Sequence, residues 1–227
     1  MTDIRTILQD ARSFLQNSGI DSAYLDAQLL LSYVTAYSKV QLISHDQDEL
    51  PDDLVSEYLQ LIKKRSTGYP VAYILGYRDF WNMRLEVNEA TLIPRPDTEV
   101  LVETALSLNP TGNVLDLGTG SGAIILALKM ECGEKICAFA TDISAEALST
   151  AKKNADTHNL KVNFLRSDWF EQIESLTFSL IVSNPPYSVP WPGDSDITLI
   201  NDPRFSPAGV LAPKSKGDFA FTMHRSE

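Results

Sequence analysis

Short apolar strands alternate with helices from residue 113 onward, and this alternation constrains the fold more than any other feature. The spacing of apolar residues distinguishes the two kinds of segment. Strands that alternate with helices imply a parallel, doubly wound sheet of the α/β class. The predicted segments are strands over 113–117, 136–141, 162–165 and 180–183, and helices over 121–130 and 144–157.

The region before this alternation is predicted to be a separate helical bundle, because its apolar residues recur at spacings of three and four. They are Ile4, Ile7, Leu8, Ala11, Phe14, Leu15, Leu25, Leu29, Leu30 and Val34. Pro51 then opens a further helix with two acidic residues in its first turn. We predict a helical domain for substrate recognition over 1–67, a linker with a β-hairpin near 80–87 over 68–95, and an α/β domain over 96–227.

A glycine-rich turn lies between the first predicted strand and its helix, and reads Asp-Leu-Gly-Thr-Gly-Ser-Gly over 116–122. Glycine permits positive φ angles and lets the backbone approach a ligand closely. Free N–H groups at the start of the following helix can contact that ligand. The turn therefore predicts a nucleotide-like cofactor, and the competing interpretation is a tight turn that serves the fold alone.

Two further side chains are predicted to contact this cofactor. Asp142 ends the second strand, 20 residues after Gly122, where a carboxylate can accept both hydroxyl groups of a ribose. Trp169 follows the third strand and can stack on an adenine ring. The alternatives are a helix cap for Asp142 and a core position for Trp169. The predicted cofactor-binding residues are Gly118, Thr119, Gly120, Ser121, Gly122, Asp142, Trp169 and Asn184.

The tetrapeptide Asn184-Pro185-Pro186-Tyr187 follows the fourth strand and predicts the site for a second substrate. Proline has no N–H to donate, so the strand must end at Asn184. This residue therefore lies at the carboxyl end of a buried strand, where open α/β sheets bind ligands. The carbonyl groups of the prolines are acceptors on a rigid segment, and the tyrosine offers a flat face. Such a site can bind a planar –NH2 group through its two hydrogens.

The glycine-rich turn by itself also fits a nicotinamide-dependent dehydrogenase. Gly118, Gly120 and Ala123 match the spacing Gly-x-Gly-x-x-Ala. A dehydrogenase usually needs a proton donor for the carbonyl group of its substrate. The three histidines have no catalytic context in the sequence, and a dehydrogenase needs no Asn-Pro-Pro-Tyr segment.

Charge counts against a nucleic-acid substrate and favours a cationic small molecule or a basic protein partner. The net charge is −11, with 19 basic residues scattered among 30 acidic ones, whereas binding to a duplex needs basic patches against phosphate. No apolar stretch has the length of a membrane span, and the N-terminus does not have the pattern of a signal peptide. Cys132 and Cys137 have the spacing of neither a disulfide framework nor a metal site. We expect a cytoplasmic protein without a metal ion.

With these motifs in place, the chain resembles the HemK/PrmC family of protein-glutamine methyltransferases. The resemblance runs from about residue 5 to 213. Its most specific element is Ile-Pro-Arg-Pro-Asp-Thr-Glu over 93–99, since Asn-Pro-Pro-Tyr alone is shared with adenine-amino DNA methyltransferases. The matching segments are 68–76, Phe80-Trp81, 92–99, 116–122, Asp142-Ile143-Ser144, Asp168-Trp169 and 184–187.

The resemblance implies a class I, Rossmann-like methyltransferase fold and S-adenosylmethionine as the methyl donor. It also implies that the acceptor is the glutamine of the Gly-Gly-Gln motif in class I peptide-chain release factors. By the same resemblance, Asn184 and Pro185 each accept one N–H of that glutamine, Tyr187 stacks on its amide plane, and Pro186 completes the substrate site.

Beyond Leu211-Ala212-Pro213 the sequence departs from the family pattern. This departure predicts a sheet that lacks its last strands, so that the strand over 180–183 loses its neighbours on one side. An exposed apolar edge of this kind favours aggregation. Two alternatives to the glutamine methyltransferase stay open. The shared Asn-Pro-Pro-Tyr segment leaves an adenine-amino DNA methyltransferase, and the departure from the family pattern leaves a truncated, inactive module that binds the cofactor.

Overall fold

The computed structural model describes residues 2–173, 176–184 and 219–221, the last three by their backbone. The chain divides into two compact units, Met1–Gly76 and Tyr77–Glu227. The finer division of the sequence analysis, with a separate linker over 68–95, stays a prediction.

The first unit is a bundle of helices with one short antiparallel strand pair. Its elements are β1 (Thr2–Asp3), α1 (Ile4–Asn17), α2 (Ala23–Thr35), α3 (Lys39–Ser44), β2 (Glu49–Leu50), α4 (Asp52–Ser66) and α5 (Val71–Leu75). The side chain of Asp3 caps α1 by accepting the N–H of Thr6 at 2.7 Å. Ser38 and Gln41 form a capping box at the start of α3. These caps satisfy N–H groups that have no partner inside a helix.

Two polar contacts fix the packing of α2 against α4. The hydroxyl of the buried Tyr58 donates to the backbone oxygen of Ala27 at 3.1 Å. Nε of Arg65 donates to Oδ2 of Asp26 at 2.8 Å, and both side chains are largely buried. Since an unpaired charge inside a protein is strongly destabilising, this ion pair specifies how the two helices meet.

The second unit is an α/β sheet with an N-terminal hairpin. Its elements are β3 (Tyr77–Phe80), β4 (Met83–Glu86), α6 (Pro96–Ser107), β5 (Gly112–Leu117), α7 (Ala123–Cys132), β6 (Ile136–Asp142), α8 (Ala145–Thr157), β7 (Val162–Arg166), β8 (Leu180–Ser183) and β9 (Phe219–Phe221). The strand order is β7-β6-β5-β8-β9. The pairs β5–β6, β6–β7 and β5–β8 are all parallel. The α/β class with a parallel sheet is confirmed.

Both faces of this sheet are buried, as a parallel sheet requires. Side chains of a strand alternate between the faces, and β5 shows this clearly. Val114 belongs to an apolar cluster with α6, α7 and the hairpin. Leu115 and Leu117 belong to a second cluster, together with Phe178 and Ile181.

The predicted hairpin is confirmed as β3 and β4, but it begins earlier than the sequence analysis expected. Tyr77 pairs with Glu86 and Phe80 pairs with Met83 in antiparallel register. The first strand has an exposed polar stretch that apolar spacing does not reveal. The polar side chains of β3 pair with those of β4, as Nε of Arg84 donates to Oδ1 of Asp79 at 2.9 Å.

One expectation about the sheet is wrong. The strand over 180–183 was expected to lose its neighbours on one side, yet Ile181–Ser183 of β8 pairs antiparallel with Phe219–Phe221 of β9. The triplet Phe-Ala-Phe contains two aromatic residues, which favour strands. This short strand lies beyond the residues that resemble the family, so the resemblance does not predict it.

None of the helices within the described ranges has the length and hydropathy needed to cross a membrane.

Candidate active site

The carboxyl ends of β5, β6, β7 and β8 lie at one edge of the sheet, because these strands run parallel. Leu117 is paired with Thr141 on one side and with Ser183 on the other. The segments that follow these three residues therefore leave the sheet next to one another. Consequently the glycine-rich turn, Asp142 and Asn184 lie along the same edge, as the sequence analysis expected for a ligand site.

The glycines of the turn serve two different purposes. Gly118 has φ 69°, and no described atom lies within 4 Å of the position that a Cβ atom would take there. Gly122 has φ 86°, and a Cβ atom there would lie 3.1 Å from Cδ1 of Leu126 and 3.3 Å from Cβ of Ala151. Gly118 thus leaves open space for a ligand, whereas Gly122 permits the close packing of α7 against α8.

Hydrogen bonds within the chain hold the turn in place. The N–H of Thr119 donates to the backbone oxygen of Thr141 at 2.9 Å, and the N–H of Gly122 donates to the oxygen of Thr119 at 2.8 Å. The hydroxyl of Thr119 also donates to Oδ2 of Asp116 at 2.6 Å. A ligand therefore meets a turn that is already ordered, which lowers the entropy lost on binding.

Asn154 of α8 connects this turn to the hairpin, and the sequence analysis missed it. Its Nδ2 donates to the backbone oxygens of Ser121 at 2.8 Å and Glu86 at 3.0 Å. Its Oδ1 accepts the N–H of Glu86 at 2.7 Å, and the side chain is buried. Asparagine is a weak helix former, so its position inside a predicted helix was the available signal.

Asp142 holds together the turn and the start of α8. Its Oδ2 accepts the N–H of Gly120 at 2.9 Å, and its Oδ1 accepts the N–H of Ser144 at 2.9 Å. The side chain that caps α8 itself belongs to Ser144, which accepts the N–H of Ala147 at 3.2 Å. A carboxylate has about four lone-pair sites, so Asp142 retains capacity for a ribose. Its predicted role with the cofactor stays a prediction.

Asp116 is the second residue that the sequence analysis missed as a site residue. It is fully buried in β5, and its Oδ1 has no hydrogen-bond partner within the ranges that the structure describes. Burial raises the pKa of this carboxyl to about 7, although hydrogen bonds from the Thr119 hydroxyl and the backbone N–H of Ile125 lower it. Because an unpaired buried acceptor is costly, it fits a ligand that carries a hydrogen-bond donor or a positive charge. A charged residue in an apolar strand was the sequence signal.

Trp169 lies beside the end of β7 and is partly buried. Its backbone is left-handed, with φ 48°, and its carbonyl oxygen accepts the hydroxyl of Ser167 at 2.9 Å. The indole packs against the apolar cluster that contains Leu115 and Leu117. It therefore contributes to the core, and its predicted stacking on a cofactor stays a prediction.

Asn184 follows β8 directly, and its side chain is only half paired. Its Nδ2 donates to Oγ1 of Thr98 at 3.2 Å. Its Oδ1 is buried and has no partner in the described part of the chain. At an edge that binds ligands, this oxygen is suited to accept an N–H from a bound molecule. The predicted site residues Pro185, Pro186 and Tyr187 lie outside the described residues, and their roles stay predictions.

Comparisons with known proteins agree with this geometry. Residues 6–76 match the PrmC N-terminal domain, and residues 96–199 match the methyltransferase small domain. The release factor glutamine methyltransferase of Pasteurella multocida (strain Pm70) is 41% identical, over 92% of this chain and 76% of that protein. The same enzyme of Agrobacterium fabrum (strain C58) is 42% identical, over 95% and 75%. That of Escherichia coli (strain K12) is 40% identical, over 92% and 75%.

Similarity of this degree covers more than nine-tenths of the chain, and the two domain matches fall one in each unit. The chain belongs to the family of the release factor glutamine methyltransferases.

Proposed function

We propose that this chain transfers a methyl group from S-adenosylmethionine to the side-chain amide of the glutamine in the Gly-Gly-Gln motif of class I peptide-chain release factors. The observation that carries the proposal is the buried Oδ1 of Asn184 at the carboxyl end of β8, which has no partner among the residues that the structure describes. Membership of the family, whose relatives bear the name of this activity, supports it. A substrate of the translation machinery also implies that the protein works in the cytoplasm.

The residues around the glycine-rich turn fit the proposed cofactor. The open space at Gly118 allows a close backbone approach, and Asp142 retains acceptor capacity for ribose hydroxyls. Oδ1 of Asp116, which has no partner among the described residues, suits a donor on the ligand, and Trp169 is a partly buried aromatic residue beside the end of β7. When bound, S-adenosylmethionine supplies an electrophilic methyl group on a positively charged sulfur.

The task of the protein is then to orient the acceptor nitrogen, which is a poor nucleophile because its lone pair is delocalised into the carbonyl group. Oδ1 of Asn184 accepts one N–H of the glutamine side chain, and the carbonyl group of Pro185 is proposed to accept the other. With both hydrogens held, the nitrogen would be aimed at the methyl carbon, so that the N–C bond forms as the S–C bond breaks and one N–H proton is then lost to solvent. Orientation of this kind contributes roughly 7–11 kcal/mol in the best cases. The same oxygens stabilise positive charge that develops on the nitrogen.

The experiment is methyl transfer from labelled S-adenosylmethionine to three acceptors. These are a class I release factor, the same factor with the glutamine of its Gly-Gly-Gln motif replaced by asparagine, and a DNA duplex rich in adenine. We expect label in the first acceptor alone, and a rate of labelling that is about 10²- to 10³-fold lower with the Asn184→Ala variant. Label in the adenine of the duplex would replace this proposal by the DNA methyltransferase. Absence of label from all three would contradict it in favour of the inactive module.

A further inference from the structure

The side chain that holds Asn184 belongs to Thr98, in the first turn of α6. The hydroxyl oxygen Oγ1 accepts the N–H of Nδ2 at 3.2 Å, and the threonine is only 3% exposed. The two residues are 86 positions apart in the sequence. Their contact links the segment before the glycine-rich turn to the end of β8.

A side-chain amide has two unlike ends, and which end faces the acceptor decides whether the site works. The oxygen can accept an N–H, whereas the –NH2 group can only donate. Rotation by 180° about the last bond exchanges the two ends at little steric cost, because they have nearly the same size. A glutamine amide needs an acceptor for its N–H group, so a rotated Asn184 would present the wrong group.

We propose that Thr98 is a positioning residue for the methyl transfer, which anchors Nδ2 of Asn184 and thereby presents Oδ1 to the amide of the substrate. This inference rests on the proposed function, since it assumes that Asn184 accepts an N–H of the glutamine. Thr98 itself need not touch the substrate.

Both ends of the contact are held by rigid elements. The N–H of Thr98 donates to the backbone oxygen of Arg95 at 3.0 Å in the first turn of α6. Leu101 and Val102 anchor the same helix in the apolar cluster of the sheet. At the other end, the buried hydroxyl of Ser183 donates to the backbone oxygen of Leu117 at 2.8 Å. Threonine is also restricted at χ1 by its branched Cβ, so the hydroxyl has a defined position.

The unequal pairing of the amide supports a functional role over a purely structural one. A structural asparagine in this chain satisfies both of its ends, as Asn154 does with Glu86 and Ser121. Asn184 has its donor paired and its acceptor buried without a partner, as far as the described residues extend. Buried polar groups normally find partners, and exceptions occur at functional sites.

Three substitutions in α6 test the proposal in the full chain. Thr98→Val removes the hydroxyl at almost unchanged volume, and Thr98→Ser retains it. Thr104→Val is the matched control, because the hydroxyl of Thr104 donates within the same helix to the backbone oxygen of Val100 at 2.7 Å. We expect Thr98→Val to lower kcat roughly 5- to 10-fold, the usual worth of one hydrogen bond. We expect an unchanged Kd for S-adenosylmethionine, and parental kcat for Thr98→Ser and Thr104→Val.

A second measurement separates failure of this inference from failure of the proposed function. The side-chain –NH2 signals of Asn184 in a ¹⁵N–¹H spectrum are assigned by their loss in Asn184→Ala. They should shift in Thr98→Val and stay near their parental positions in Thr98→Ser. Unshifted signals in Thr98→Val, or parental kcat for that variant, would overturn the role of Thr98 while the proposed function stands. A parent chain that methylates no release factor would overturn the proposed function, and the role of Thr98 with it, whatever the spectra show.

Discussion

The two ends of the candidate site differ in how the acceptor oxygens of their polar side chains are hydrogen-bonded. At the cofactor end, both carboxylate oxygens of Asp142 accept backbone N–H groups, from Gly120 and Ser144. At the acceptor end, Asn184 has one internal hydrogen bond and one buried oxygen without a partner within the described ranges. Both residues occupy the same kind of position, directly at the carboxyl end of a parallel strand.

The difference teaches how function and stability are distributed along this edge. A side chain whose acceptor atoms each accept one hydrogen bond from the protein supports the fold. Each of these atoms can still accept a second hydrogen bond from a ligand. A side chain with an unused acceptor weakens the fold and is retained for a ligand. Substitution at the first kind of residue should lower stability and affinity together. Substitution at the second kind should lower activity without lowering stability.

Asn184→Ala should give the largest effect and the sharpest separation. We expect kcat to fall about 10²- to 10³-fold, by analogy with the loss of one preorganised hydrogen-bonding group at a reacting centre. The melting temperature should stay nearly constant, because the substitution removes one hydrogen bond to Thr98 together with a buried oxygen that has no partner in the described part of the chain. Methyl-transfer kinetics and thermal unfolding measure the two quantities. A large loss of stability with unchanged turnover would reverse the comparison.

Asp116 extends the comparison, because it belongs to the cofactor end and yet its Oδ1 has no hydrogen-bond partner among the described residues. Burial raises its pKa from 3.8 to about 7 in the folded chain. Between these values the folded state binds more protons than the unfolded state, so this residue lowers stability as pH rises from about 4 to 7. Asp116→Asn removes that dependence, so its free energy of unfolding relative to the parent chain should be higher at pH 8 than at pH 5.

Urea unfolding of the two chains at pH 5, 6, 7 and 8 measures this effect. The stability difference between Asp116→Asn and the parent should widen up to about pH 7, the folded pKa of the carboxyl, and then level off. Comparing the variant with the parent at each pH cancels the other carboxyl groups. A difference that is constant across this range would mean that Asp116 is ionised, and so better paired, throughout.

Asp142→Ala should show the coupled behaviour of a fully paired residue. It leaves the N–H groups of Gly120 and Ser144 without their acceptor. We expect the free energy of unfolding to fall by about 1–2 kcal/mol, and the Kd for S-adenosylmethionine to rise about 10-fold. Asp142→Asn retains one acceptor oxygen and should lie between the two chains in both quantities. Calorimetric titration and chemical unfolding decide this, and an effect on one quantity alone would contradict the coupling.

The sequence predicts the parts of this site that depend on local order. Gly118 and Asp142 each follow a strand with clear apolar patterning, so their place at the sheet edge can be inferred from alternation alone. The contacts of Asn154 with Glu86 and of Thr98 with Asn184 span 68 and 86 residues. Local spacing carries no information about pairs so far apart, and these contacts determine which polar atoms are satisfied.

The smallest expected difference is the contrast between two glycine substitutions in one turn, and it is the finest test of the comparison. Gly118→Ala and Gly122→Ala both place a side chain at a positive φ, which costs about 1–2 kcal/mol each. Only at Gly122 does the new methyl group also meet packed atoms, at 3.1 Å from Leu126, so this variant should be less stable by about 1 kcal/mol more. Gly118→Ala should instead show the larger loss of cofactor affinity, because its methyl group occupies the space proposed for the ligand. If the two variants had equal stabilities and equal affinities for the cofactor, Gly118 and Gly122 would not have the separate roles in binding and packing that we assign to them. The matched strain at the two positions makes this contrast independent of the size of the backbone effect itself.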